Sequence, residues 1–200
     1  LIYQNELSSC VPKSLFNEDN CADYLKFNAK ILNSDFIAHD EITINDIINV
    51  YVPYININNY IFDRYGAFEY KHASTILIQS LLQLEAKFKD TKLYVNVSNT
   101  HFEIIAIDKG QLLFYNTFDH LTKEDFIYFI LFTIEQLQLN PETILLKLLG
   151  DISKDDEYFN IVYKYIRFVE IIEPFHNYGF NEKYKPKSHF SNFVILNSFN

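Results

Sequence analysis

Tryptophan and methionine are absent from the 200 residues, and only four Gly, five Pro and two Cys are present. So few Gly and Pro leave little flexible linker, and any two lobes are expected to be closely joined. Cys10 and Cys21 stand eleven positions apart with no Cys or His at metal-ligand spacing. This excludes a disulfide framework and a zinc module, and suggests two reduced thiols. Basic runs are missing too: 17 Lys and Arg face 26 Asp and Glu, a formal charge of −9. Such a surface repels phosphate backbones and anionic lipid, so neither nucleic acid nor a membrane is expected as a partner. The densest basic stretch, Lys183 to Lys187, holds three Lys and reads as a solvated turn. The longest apolar runs, such as Phe126 to Ile134, are too short to span a bilayer. No charged-then-apolar leader opens the chain, and Leu1 lies inside what reads as a strand. The expectation is a piece of a longer, cytoplasmic protein.

What is present is aromatic and periodic. Tyr and Phe make up 17% of the chain, and the apolar fraction of 48% is that of an ordinary globular domain. Lys92 to Ser98, His101 to Ile107 and Gln111 to Thr117 read as three strands, with Gly110 supplying a positive φ in the second turn. Thr122 then offers an N-cap, with Glu124 and Asp125 in the first turn. Phe126, Phe129, Ile130, Ile134 and Leu137 recur at helical spacing until Asn140-Pro141. Thr143 to Leu149 predicts an apolar strand, Tyr158 to Lys164 a helix, Arg167 to Ile172 a strand and Ser188 to Phe199 a closing helix. The order β-β-β-α-β-α-β-α is that of a ribonuclease-H-like α/β unit, with a mixed sheet covered on both faces.

The first half is less regular. Strands are expected at Leu1 to Gln4, Asp35 to Glu41, Ile47 to Val52 and Ala67 to His72. Helices are expected over most of Pro12 to Ile31, over Tyr54 to Tyr65 with Gly66 as its stop, and over Ser74 to Phe88 with Leu77, Leu81, Leu84 and Phe88 on one face. Tyr54, Ile57, Ile61 and Tyr65 read as a core stripe, with a lobe-lobe or partner surface as the alternative. Element order suggests a second copy of the same unit that begins at its fourth strand. The expected division is 1–88 for this remainder of a first lobe and 89–200 for a second lobe.

Two such units in tandem make the actin-like ATPase fold. "YVNVSNTHFEIIAIDKGQLLFYNTF", "EDFIYFILFTIEQL" and "ILLKLLGDI" resemble the second lobe of that superfamily, notably its PilM-like pilus-assembly members. Together with "LIYQNELSSCVPKSLFNEDNCADYLKFN" and "VYVPYININNYIFDRYGAFEYKHAST", they more closely resemble an uncharacterised family of Bacteroidetes proteins with an actin-like fold and no established activity. The resemblance spans roughly residues 1–175 and implies an absent N-terminal stretch that would carry the first lobe's phosphate loop.

Nucleotide-binding relatives carry Asp-x-Gly-x-x-Thr or similar in the second lobe's phosphate turn. The resemblance places Asn96 at the Asp, Ser98 at the Gly, and Asn99 and Thr100 in the same turn. Asn lacks the charge that Mg²⁺ favours, and a Cβ at Ser98 crowds an approaching phosphate. On the adenine side, paired glycines reduce to Gly150 followed by Asp151. The expectation is a degenerate site without ATP, Mg²⁺ or hydrolysis, in a non-catalytic binding or scaffold protein with a protein partner. The alternative is an ATP-binding protein whose missing N-terminus supplies the other phosphate loop. A two-metal nuclease would need Asn96, Glu135 and Asp151 to act together, and Asn96 again lacks the charge. The histidines (His39, His72, His101, His120, His176, His189) form no i,i+4 pair; His101 flanks the candidate turn. Asn177 to Phe190, aromatic and basic, reads as a surface connection.

Overall fold

The computed structural model describes residues 1–27, 29–172 and 193–198. The chain divides into two units, Leu1–Gln83 and Leu84–Asn200.

In the second unit, β6 (Lys92–Val97), β7 (His101–Asp108) and β8 (Gln111–Asp119) form an antiparallel meander. Lys109 and Gly110 both adopt positive φ, 51° and 75°. That is the two-residue hairpin geometry whose twist matches the flanking strands. Helix α4 (Lys123–Gln136) starts at a capping box: the Thr122 hydroxyl accepts from Asp125 N, and the Asp125 carboxylate accepts from Thr122 N. Strand β9 (Leu145–Gly150) then lies parallel to β6, and α5 (Glu157–Tyr165) crosses to β10 (Phe168–Ile171), parallel to β9. The sheet order β10-β9-β6-β7-β8, with β7 alone reversed, is that of the ribonuclease-H-like unit expected from the sequence.

Alternation along these strands sorts the sheet's two faces. Leu93, Val95 and Val97 of β6, Phe102, Ile104 and Ala106 of β7, and Leu146 and Leu148 of β9 pack against Phe126, Ile130 and Ile134 of α4 and Val162 of α5. Phe126 is fully buried, its ring 4.7 Å from that of Phe102 and 5.2 Å from that of Tyr158. Tyr94, Asn96, Glu103 and Ile105 occupy the opposite face, also buried. The closing helix α6 is described only over Phe193–Asn197. The expected turn at Lys183 to Lys187 and the connection at Asn177 to Phe190 lie outside the described residues.

In the first unit, β1 (Ile2–Tyr3) pairs in parallel with β5 (Lys71–His72), while β2 (Ser8–Pro12), β4 (Ile47–Tyr51) and β3 (Ala38–Ile42) make an antiparallel sheet in the order β2-β4-β3. The strand expected over Ala67 to His72 shortens to Lys71–His72, and two larger expectations fail here. Pro12 to Ile31 is not mostly helix: it begins in an edge strand and holds two 3-10 turns and the short α1 (Cys21–Lys26). Val11 and Leu25 fill a core with Ile48, Val50 and Val52, and the Asn17 side chain accepts from Asp19 N, a local bond that competes with helix. The second failure is the core stripe on α2 (Ile55–Tyr65). Tyr54, Ile57 and Tyr65 are exposed and Ile61 is half-buried; Asn58 is the helix's buried residue. The expected stop holds, with Gly66 at φ 78°.

Helix α3 (Ala73–Glu85) buries Ile76, Leu77, Ile78, Leu81 and Leu82, whereas Phe88, expected on its apolar face, lies beyond its end and is half-exposed. Its first turn meets a polar network. Asn49 donates to Ser74 Oγ and Thr75 Oγ1, both at 2.8 Å, and Asp40 accepts from Thr75 Oγ1, Tyr51 OH and the His72 backbone N–H. Burial holds the His72 imidazole down at about 4, partly opposed by the Asn5 backbone.

Candidate functional site

Because β6, β8 and β9 run parallel, the loops that leave their ends gather at one edge of the second sheet, beside the N-termini of α4 and α5. Four of the candidate positions, Ser98, Asn99, Thr100 and Asp151, belong to this edge; Asn96 and Gly150 lie just inside it.

The β6–β7 hairpin turns at Ser98 to Thr100. Ser98 N donates to the His101 carbonyl at 2.9 Å, Asn99 and Thr100 are exposed, and Ser98 is half-buried. The turn is braced by a histidine with no motif to mark it. His120 N donates to the Thr100 carbonyl at 3.1 Å, and His120 Nε2 donates to the Ser98 carbonyl at 3.2 Å. Its ring is buried against Phe102, Phe126 and Tyr158. His101, which flanks the turn, is half-buried and lies 3.4 Å from Thr100 Oγ1.

Asn96 does not face the turn's solvent side. It is 7% exposed, and its Nδ2 donates to Glu103 Oε2 at 2.8 Å, directly across from it on β7. Glu103 is 4% exposed, and burial pushes its carboxyl up to about 7 against the opposing pull of the Asn96 hydrogen bond. Gly150 sits against Val97 and Asn96. A Cβ there would lie 2.2 Å from the Val97 carbonyl oxygen and 2.8 Å from Asn96 Oδ1, and its φ of 89° is left-handed. This glycine is therefore explained by the close approach of β9 to β6. Asp151 N donates to the Val97 carbonyl at 2.8 Å, while its side chain is exposed.

The structure thus brings Asn96 and Gly150 together and adds Glu103, which sequence reasoning missed. The signal was available: a hairpin that pairs Val97 with Phe102 necessarily sets position 96 opposite position 103. Glu135 is exposed on α4, and no cluster of three His, Cys, Asp or Glu able to hold a metal occurs among the described residues.

The edge is electronegative. The segments 119–125 and 151–157 contain Asp119, Glu124, Asp125, Asp151, Asp155, Asp156 and Glu157 against Lys123 and Lys154. Asp125 and Asp156 cap α4 and α5, and Lys123 pairs with Glu157 at 2.9 Å. The other carboxylates leave a field that opposes a polyphosphate. Among the described residues, no helix is long and apolar enough to cross a membrane.

Two solved structures show the fold. A Bacteroides thetaiotaomicron protein with an actin-like ATPase fold and unknown function superposes with a TM-score of 0.79 at 23% identity, over 86% of this chain and 66% of that one. The PilM-PilN type IV pilus biogenesis complex gives a TM-score of 0.52 at 11% identity, over 84% of this chain and 65% of its own. The fold is therefore that of the actin-like ATPases, and the chain spans about two-thirds of the length of these proteins. No curated protein sequence matches the chain. The profile of a family described as "Protein of unknown function (DUF3822)" matches residues 1–169, and the chain belongs to that family.

Proposed function

We propose that this protein is a non-catalytic binding or scaffold protein whose phosphate turn is degenerate. The carrying observation is the Asn96–Glu103 pair: the side chain that the resemblance sets at the metal-ordering position is a buried neutral amide whose Nδ2 donates to Glu103 at 2.8 Å. A phosphate turn works by presenting charge and open backbone to an incoming polyphosphate. Here the neighbouring carboxyl is buried, its charge is disfavoured by that burial, and it gives Mg²⁺ no open access. The acidic edge adds repulsion, and Ser98 brings a Cβ where close approach favours glycine.

The function then lies in protein contacts made in the cytoplasm. The protein complex formed by PilM, a more distant structural neighbour, is in keeping with this role. Isothermal titration of the complete gene product with ATP and Mg²⁺ tests the reading. The expected result is no binding up to millimolar nucleotide. Micromolar binding that is lost in Asn96→Ala overturns it and assigns ATP to the turn.

A further inference from the structure

His120, the residue that follows β8, fastens the β6–β7 turn from outside it. Its backbone N–H donates to the Thr100 carbonyl at 3.1 Å and its Nε2 to the Ser98 carbonyl at 3.2 Å, so one residue holds both ends of the turn. A carbonyl only accepts, which puts the ring proton on Nε2 and leaves a bare lone pair at Nδ1. Nδ1 is buried and meets no hydrogen-bond partner. The rings of Phe102, Phe126 and Tyr158 surround the imidazole, with centroids 5.7, 5.8 and 5.0 Å away, and only 6% of the residue is exposed.

That enclosure suits the neutral ring and not the charged one. A second ring proton would put a cationic N–H where no acceptor stands, and a buried charge without a partner is costly. Asp125 of α4 interacts electrostatically with the ring, but its Oδ2 already accepts from Leu121 N and Thr122 N in the cap. On α5, burial and the charges of Glu157, Asp156, Asp125 and Glu124 keep the proton on Tyr158. His101 at the start of β7 pairs with Asp119 at the end of β8. Glu103 belongs to the opposite face of the sheet from Phe102.

We propose that His120 is a pH-sensitive latch: the neutral imidazole closes the Ser98–Thr100 turn, and its protonation in mild acid releases the turn. Histidine is the side chain that ordinarily changes charge between about pH 5 and 8. Release frees the Ser98 and Thr100 carbonyls and bares the aromatic surface of Phe102, Phe126 and Tyr158. The latch concerns the backbone of the turn and not its nucleotide chemistry, so it and the proposed function can fail separately.

Nuclear magnetic resonance of the complete gene product carrying Glu103→Gln, which removes that carboxyl's titration, tests the latch between about pH 8 and about pH 5.5. Imidazole spectra should show His120 as the Nε2–H tautomer at the upper pH. The reporters are the Ser98 amide, which donates to the His101 carbonyl, and the His120 amide. As the ring takes up its proton their exchange, corrected for the intrinsic effect of pH, should quicken about ten- to hundredfold, the equivalent of one buried donor left unpaired. His120→Gln keeps a donor and takes no charge, so its Ser98 amide should exchange slowly at both pH values. His101→Gln should leave the response intact. The ring titration needs no change at His120, so it decides even where that variant does not fold. An Nδ1–H tautomer, a ring still neutral at the lower pH, or protonation without faster exchange overturns the proposal. So does quickening that extends to the Ile130 amide inside α4, or that survives in His120→Gln.

Discussion

Replacing Glu103 by Gln should remove a pH dependence that burial has built into the second sheet. In the folded protein the carboxyl is pushed from its usual 4.5 to about 7. At 1.36 kcal/mol per pH unit, this displacement corresponds to about 3 kcal/mol. Because the folded state holds the proton more tightly than the unfolded chain, the contribution is full below pH ~4.5 and fades as pH rises through about 7. The change to Gln keeps the shape and leaves an amide oxygen to accept from Asn96 Nδ2. Urea unfolding of both proteins at pH 5 and pH 8 reads the effect. Between pH 5 and pH 8 the stability of Glu103→Gln should rise relative to the wild type by about 2–3 kcal/mol. A difference between the two proteins that is the same at both pH values would refute a buried, proton-holding Glu103.

Four further outcomes follow from the packing. His72, held down at about 4 by burial, stabilises the fold above pH ~6.5 and ceases to as pH falls through about 4; Glu103→Gln should therefore retain an acid-side loss in urea midpoint. Gly150→Ala, with a Cβ 2.2 Å from the Val97 carbonyl oxygen and φ at 89°, should cost more than about 2 kcal/mol in thermal unfolding. Thr122→Ala removes one half of the α4 capping box and should cost about 1 kcal/mol by urea titration. Glu85 holds Lys92 at 2.6 Å with both side chains buried, so Glu85→Ala should cost about 3–5 kcal/mol by the same measure, and Glu85→Leu with Lys92→Met far less.

Local periodicity made the second unit legible. The change from period 2 in β6–β8 to period 3.6 in α4, the Thr122 cap and the Gly110 turn are all chemistry of adjacent residues, and all appear where expected. The first unit was harder because its stability is not local. Ser8 to Pro12 has no alternating apolar pattern; it is a strand because it pairs with β4 at an edge and buries Val11. The stripe on α2 has helical spacing, and spacing alone does not say whether another element lies against it. At the candidate site, Asn96 and Gly150 could be singled out by their departure from a resemblance. Glu103 required the cross-strand register, a contact seven residues apart in sequence. His120 braces the turn from beyond β8, a contact no short motif encodes.

If the turn is degenerate as proposed, the Asn96 amide stays with Glu103 when Mg²⁺ and ATP are added. The side-chain amide protons of Asn96, followed by nuclear magnetic resonance during addition of Mg²⁺ and ATP to the complete protein, test it most directly. The expected result is slowly exchanging protons whose shifts respond to Glu103→Gln and stay fixed up to millimolar nucleotide. Shifts that move and saturate at micromolar Mg²⁺-ATP would contradict it.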